Sequence, residues 1–193
     1  MNNKGFTLVE LLATIVIIGL IMGIATTSAI STINNSKKKS EKVFVDKLAT
    51  AIESYINING SQSSEITGTE VQFEKCRRVN DDNTCLEGTS KTVEVTELTP
   101  FNLKDITTGD TATISEDKIV NPSTKEKCLN GTNPEVRLFK DDDYVYYYYV
   151  DLSRNNTSCN ISDENSIVTN IPKKLCSAIN TGKIESEKLK CEE

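Results

Sequence analysis

The sequence predicts an α+β fold: a long N-terminal helix, membrane-spanning in its first half, packed on an antiparallel sheet with disulfide-stapled loops. Three observations carry this. Residues 6–25, FTLVELLATIVIIGLIMGIA, are apolar apart from Glu10, Thr7, Thr14 and small residues. Past Lys37-Lys38-Lys39, Val45, Leu48, Ile52, Tyr55 and Ile56 recur at helical spacing. Beyond residue 60 the pattern turns to short alternating runs, and all six cysteines lie there.

The N-terminal run comes first. Twenty helical residues span about 30 Å, the thickness of one bilayer core. With the amphipathic stretch the helix runs from about 6 to about 58 and stops at Asn59-Gly60-Ser61. Such a helix is about 80 Å long. No proline interrupts residues 6–60. The run Thr26–Thr32 has modest helix propensity and is a candidate for local extension. Gly19 and Gly23 form a GxxxG, the spacing that lets membrane helices approach closely, although glycine is common in such helices anyway.

In the distal part, residues 61–70 read as a loop rich in Ser, Thr and Gly. Val71–Phe73 and Val93–Val95 read as short strands flanking a polar loop closed by Cys76 and Cys85. Pro100 to Pro134 reads as irregular. Glu135–Phe139 and Tyr144–Leu152 form a hairpin about Lys140-Asp141-Asp142-Asp143. Alternation sends two of the rings Tyr146–Tyr149 into the core and two outward. After Cys159 the tail is polar, with a short helix at 173–180.

Composition excludes several function classes. The chain holds 22 Lys+Arg, 28 Asp+Glu and no His. From residue 58 onward there are 16 basic and 24 acidic side chains, a net of −8. That balance argues against bulk nucleic-acid binding. Without His there is no Ser-His or Cys-His relay, no glycine-rich phosphate loop follows a strand, and no catalytic residue is singled out. Asp141-Asp142-Asp143 could supply oxygen ligands to calcium, but a solvated hairpin tip is the simpler reading; no metal or other cofactor is assigned. Cys76, Cys85, Cys128, Cys159, Cys176 and Cys191 lack zinc-type spacing and read as disulfides of an oxidising compartment. Six cysteines permit 15 pairings, and the sequential set is the one expected: Cys76–Cys85, Cys128–Cys159 and Cys176–Cys191.

Glu10 is the anomaly. A carboxylate at the centre of a membrane helix costs about 2.5–3.5 kcal/mol, so it needs a partner. A secretory signal peptide or a plain anchor supplies none. The stretch Lys4-Gly5-Phe6-Thr7-Leu8-Val9-Glu10-Leu11, followed by the apolar run, resembles the signature of type IV pilins and pseudopilins. The resemblance covers residues 4 to about 25. It implies cleavage between Gly5 and Phe6 by a prepilin peptidase and methylation of the new N-terminus. It also implies that Glu10 pairs with that amine on a neighbouring subunit during assembly; a pairing within the chain is equally open to it. Many members carry a proline further along this helix, which is absent here. A C-terminal disulfide commonly closes a surface loop in the family, as Cys176–Cys191 would.

The resemblance divides the chain into a leader (1–5), a transmembrane and filament-core helix (6–33), its amphipathic continuation (34–60) and an exported globular head (61–193). It implies a non-enzymatic subunit of a type IV pilus or type II secretion-like filament. Its partners would be prepilin peptidase, other pilin subunits, the pilus assembly machinery and the bacterial cytoplasmic membrane, with the head extracytoplasmic. The Lys37–Lys39 cluster follows the span, so charge alone favours the opposite orientation; processing in the family proceeds with the N-terminus cytoplasmic. Two alternatives stand beside it: a minor pseudopilin of a competence or DNA-uptake machine, and a membrane-tethered extracellular binding protein that never polymerises.

Overall fold

The computed structural model describes residues 7–76, 85, 87–129, 133–153 and 159–191, without the side chains of 24–28. The backbone divides into two compact units, Met1–Ser40 and Glu41–Glu193. Helix α1, Leu8–Asn59, has 52 residues and supplies the described part of the first unit. Its residues from Glu41 onward belong to the second. Residues 26–32, expected to be weak, are helical.

The second unit is built on a five-stranded antiparallel meander in the order β1-β2-β3-β4-β5. The strands are β1 (Glu65–Cys76), β2 (Ser90–Asn102), β3 (Glu135–Asp141), β4 (Tyr146–Asp151) and β5 (Ile167–Thr169). A short helix α2, Lys173–Asn180, follows. The fold class is the expected one, and the lengths of its parts differ. Residues 65–70, read as loop, belong to β1. Between Glu65↔Leu98 and Glu70↔Thr96 the register shifts, and β1 bulges. Gly68 takes φ +85° there, which a side chain would strain. The bulge breaks strict alternation, which hid the strand. Pro100 lies within β2 at a second register shift, between Leu98 and Phe101, where its missing N–H breaks no ladder bond. Strand β5 was not anticipated; three residues are too few to show a period.

One face of the sheet packs on Phe44, Leu48, Ala51, Ile52 and Ile56 of α1, joined by Leu98, Val136, Leu138, Tyr148 and Val150. The spacing of the helical residues is the i, i+4, i+8 stripe seen in the sequence. Gly60, just past α1, admits the Tyr146 ring: a Cβ there would lie 3.2 Å from it. The opposite face carries Phe73, Val93, Val95, Phe139, Tyr147 and Tyr149 under Ile171, Leu175, Cys176, Ile179 and Leu189. So the sheet is covered on both faces. Tyr147, Tyr148 and Tyr149 are all buried. Alternation holds, with Tyr148 toward α1 and its neighbours away from it, but the outward rings meet the C-terminal segment instead of water. Asn180 clamps that segment: its amide donates to the Leu189 carbonyl (2.8 Å) and its oxygen accepts the Leu189 N–H (2.7 Å).

Three disulfides staple the loops: Cys76–Cys85, Cys128–Cys159 and Cys176–Cys191. Cys128–Cys159 is fully buried and ties the irregular stretch between β2 and β3 to the segment after β4. That stretch is structured by burial: Leu103, Ile106 and Ile119 are wholly inaccessible.

The β3–β4 turn lies two residues further along than the alternation suggested, at residues 142–145. Strand β4 begins at Tyr146, and Tyr144 lies in the turn with φ +60°. A left-handed backbone at a residue with a Cβ costs about 1–2 kcal/mol.

Candidate functional site

Two regions hold the residues singled out by the sequence: the start of α1 and the hairpin tip. At the first, the Thr7 carbonyl accepts the Leu11 N–H (3.2 Å), so Thr7 is the N-cap of α1. Thr7 Oγ1 accepts the Glu10 N–H (3.4 Å), and Glu10 Oε2 accepts the Thr7 N–H (2.9 Å). The Thr7 hydroxyl also donates to Oε2 (2.8 Å). This is a reciprocal capping box, and the T-x-x-E spacing that signals it stands in the sequence. Within the chain, Glu10 therefore has a local role beside any role between chains. Both bonds fall on Oε2; Oε1 has no hydrogen-bond partner among the described residues. Gly5 and Phe6 lie outside the described residues.

From Leu8 to Met22 the large apolar side chains are each about half exposed or more, from 50% at Ile18 to 80% at Leu8. The exposure runs all round the helix, so this surface awaits an apolar environment or other helices. A Cβ built on Gly19 or Gly23 meets no atom within 4 Å, so each leaves a shallow notch in that surface. Among the described residues no helix is long and apolar enough to cross a membrane. The described side chains of this stretch end at Met22 and Gly23, short of the full 6–25 run of the sequence.

At the hairpin tip the three acids face lysines. Asp141, side chain inaccessible, pairs with Lys75 (2.9 Å). It also accepts the Tyr147 hydroxyl (3.0 Å) and the N–H groups of Asp143 (3.1 Å) and Val145 (2.8 Å). Asp143 pairs with Lys91 at 2.7 Å and Lys75 at 3.7 Å, and the Lys91 hydrogen bond holds its carboxyl below the usual range. Burial, then the hydrogen bond to Asp141, raises the Tyr147 hydroxyl. The acids thus brace a turn across three strands, and among the described residues no group of acids and cysteines is arranged to hold a metal.

Two further features went unnoticed in the sequence. A cleft of about 690 Å³ on the C-terminal side of the sheet is lined by Glu97, Arg137, Tyr149, Asp151, Lys183 and Glu187, among others. Several of its charges are paired: Glu97 with Arg137 and with Lys183 (3.4 Å), Asp151 with Lys190 (3.0 Å). No sequence signal links these residues, because strand register and the packing of the C-terminal segment on the sheet join them. The second is Glu41, buried and bonded to the Ser162 hydroxyl and N–H and to Asn165. Burial works to raise its pKa, but the hydrogen bonds from Ser162 and Asn165 outweigh this and hold it below the ordinary 4.5. A depressed folded-state pKa stabilises above the unfolded value and is lost as pH falls through the folded one. Glu41→Gln is therefore expected to destabilise the fold by about 1–3 kcal/mol at pH 7. Urea unfolding at a series of pH values should show the gap to the native chain narrowing below pH 4.5.

Residues 1–26 match the family described as the prokaryotic N-terminal methylation motif. This is the N-terminal signature that type IV pilins and pseudopilins carry, and the likeness extends over the first 26 of 193 residues. The motif belongs to structural rather than catalytic proteins; it implies processing by prepilin peptidase, membrane anchoring and assembly into surface filaments. No curated protein and no solved structure matches the chain.

Proposed function

We propose that the chain is a structural, non-catalytic subunit of a type IV pilus or a type II secretion-like filament. The observation that carries this is the start of α1: an apolar surface exposed all round, interrupted by one carboxylate, directly after the methylation motif. The leader is residues 1–5, cut between Gly5 and Phe6. Residues 6–33 then serve as membrane anchor and afterwards as filament core, 34–60 continue the helix, and 61–193 form the exported head. Burial of apolar helices against one another drives cohesion. The Gly19 and Gly23 notches let neighbouring helices come close. Glu10 pairs with the methylated amine of Phe6 on the next subunit, which sets the register, because an ion in apolar surroundings is tolerable only beside its opposite. The cytoplasmic membrane stores the subunits and the pilus assembly machinery extracts them.

Intact-mass spectrometry of the protein from its native membrane and surface fractions tests the reading. The expected chain starts at Phe6 and carries one methyl group. A start at Met1 would leave a plain anchor, and a start near residue 30 a secreted head; either overturns the proposal.

A further inference from the structure

The β3–β4 turn presents an exposed aromatic ring on a strained backbone. The Asp141 carbonyl accepts the Tyr144 N–H (3.0 Å), and the Asp141 N–H donates to the Val145 carbonyl (3.0 Å). Tyr144 occupies the left-handed position that follows such a turn, where glycine is favoured. Its side chain is 77% exposed, so core packing does not compensate the strain. The turn is over-determined by the Asp141 carboxylate beneath it, and strain held in this way points to function.

Beside the ring lies a cleft of about 340 Å³, lined by Tyr144, Tyr146, Tyr148, Glu53, Asn57 and Asn170, among others. Its polar groups are held in place. The Tyr148 hydroxyl donates to Glu53 (3.1 Å). Asn170 donates to the Tyr146 carbonyl (3.1 Å) and accepts the Tyr148 N–H (2.8 Å). The Lys140 ammonium, paired with Glu65 at 3.1 Å, stands 5.5 Å from the centre of the Tyr144 ring and orients it.

We propose that this cleft binds a saccharide, with the Tyr144 ring against the C–H face of a pyranose and Glu53 and Asn57 bonded to its hydroxyls. An exposed tyrosine offers a rigid apolar plane at small entropic cost. A planar carboxylate and a planar amide suit vicinal hydroxyls, and the cleft has the size of a small-ligand site. An apolar peptide would find polar walls here, and an anion would meet the Glu53 carboxylate beside a head whose residues from 58 onward carry a net charge of −8. A neutral sugar fits both conditions. The proposal stands whether or not the chain polymerises.

Saturation-transfer NMR on the full chain, in a detergent without a sugar headgroup, tests it with maltotriose, cellotriose and chitotriose as probes. At least one should receive magnetisation at its pyranose C–H protons. Tyr144→Gly should weaken that binding about tenfold or more. The same variant should raise the urea midpoint, because glycine relieves the turn. Tyr144→Phe should keep the binding. No transfer to any of the three probes overturns the proposal, as does undiminished binding by Tyr144→Gly.

Discussion

Glu10→Gln is expected to leave the subunit in the membrane and correctly processed while cutting surface filament about a hundredfold or more. Removing one member of a buried ion pair costs about 3–5 kcal/mol, because the other charge stays behind unpaired. In the proposed filament that charge is the Phe6 amine of the neighbour. Membrane insertion should improve, since a carboxylate is expensive in a bilayer. Glutamine is the sharper choice over alanine for a structural reason. The capping box with Thr7 accepts Glu or Gln at this position, so Glu10→Gln keeps the helix start and removes only the charge. Glu10→Ala should also impair assembly, with loss of the cap added. Immunoblots of sheared surface material against membrane fractions read the outcome. Filament at the native level in Glu10→Gln would remove the ion pair from the assembly mechanism.

The second large effect concerns Asp141. Its alanine variant is expected to destabilise the Glu41–Glu193 unit by about 3–5 kcal/mol. Four donors converge on this one inaccessible carboxylate: Lys75, the Tyr147 hydroxyl and two backbone N–H groups. Alanine leaves the two N–H groups and the hydroxyl of the buried Tyr147 without this acceptor, while Lys75 keeps Asp143 at 3.7 Å. Asp141→Asn keeps an acceptor for the turn and should cost about half as much. Urea unfolding followed by tyrosine fluorescence measures both, since the chain has no tryptophan and its six tyrosines all lie beyond residue 41. A loss under about 1 kcal/mol in Asp141→Ala would mean that the turn rebuilds without its carboxylate.

Legibility from sequence followed the range of the interactions. The end of α1 at Asn59 was readable because Asn-Gly-Ser is a local stop. The core stripe through Leu48, Ile52 and Ile56 was readable from its period. The capping box is equally local and stands in the T-x-x-E spacing, but Glu10 reads first as a charge in need of a counter-ion, on a neighbour or within the chain. Strand β1 was cut short because its bulge at Gly68 interrupts the alternation. The second core layer was missed because residues 171–191 look polar when read along the chain. Leu175, Ile179 and Leu189 become a surface only when α2 folds and Asn180 draws the tail against it. Hence Tyr147 and Tyr149, placed outward by alternation, are nonetheless buried.

By itself the sequence determined the fold class, the methylation motif, the apolar run with its single carboxylate, and the sequential pairing of six distal cysteines. Each depends on composition or on residues within a few turns of one another. Only the tertiary structure decided that both sheet faces are covered, that Asp141–Asp143 meet Lys75 and Lys91, and that Tyr144 stands strained and exposed beside a polar cleft. Those facts depend on strand register and on which segment closes over which face. They are set by the net burial of residues tens of positions apart, which no local pattern records.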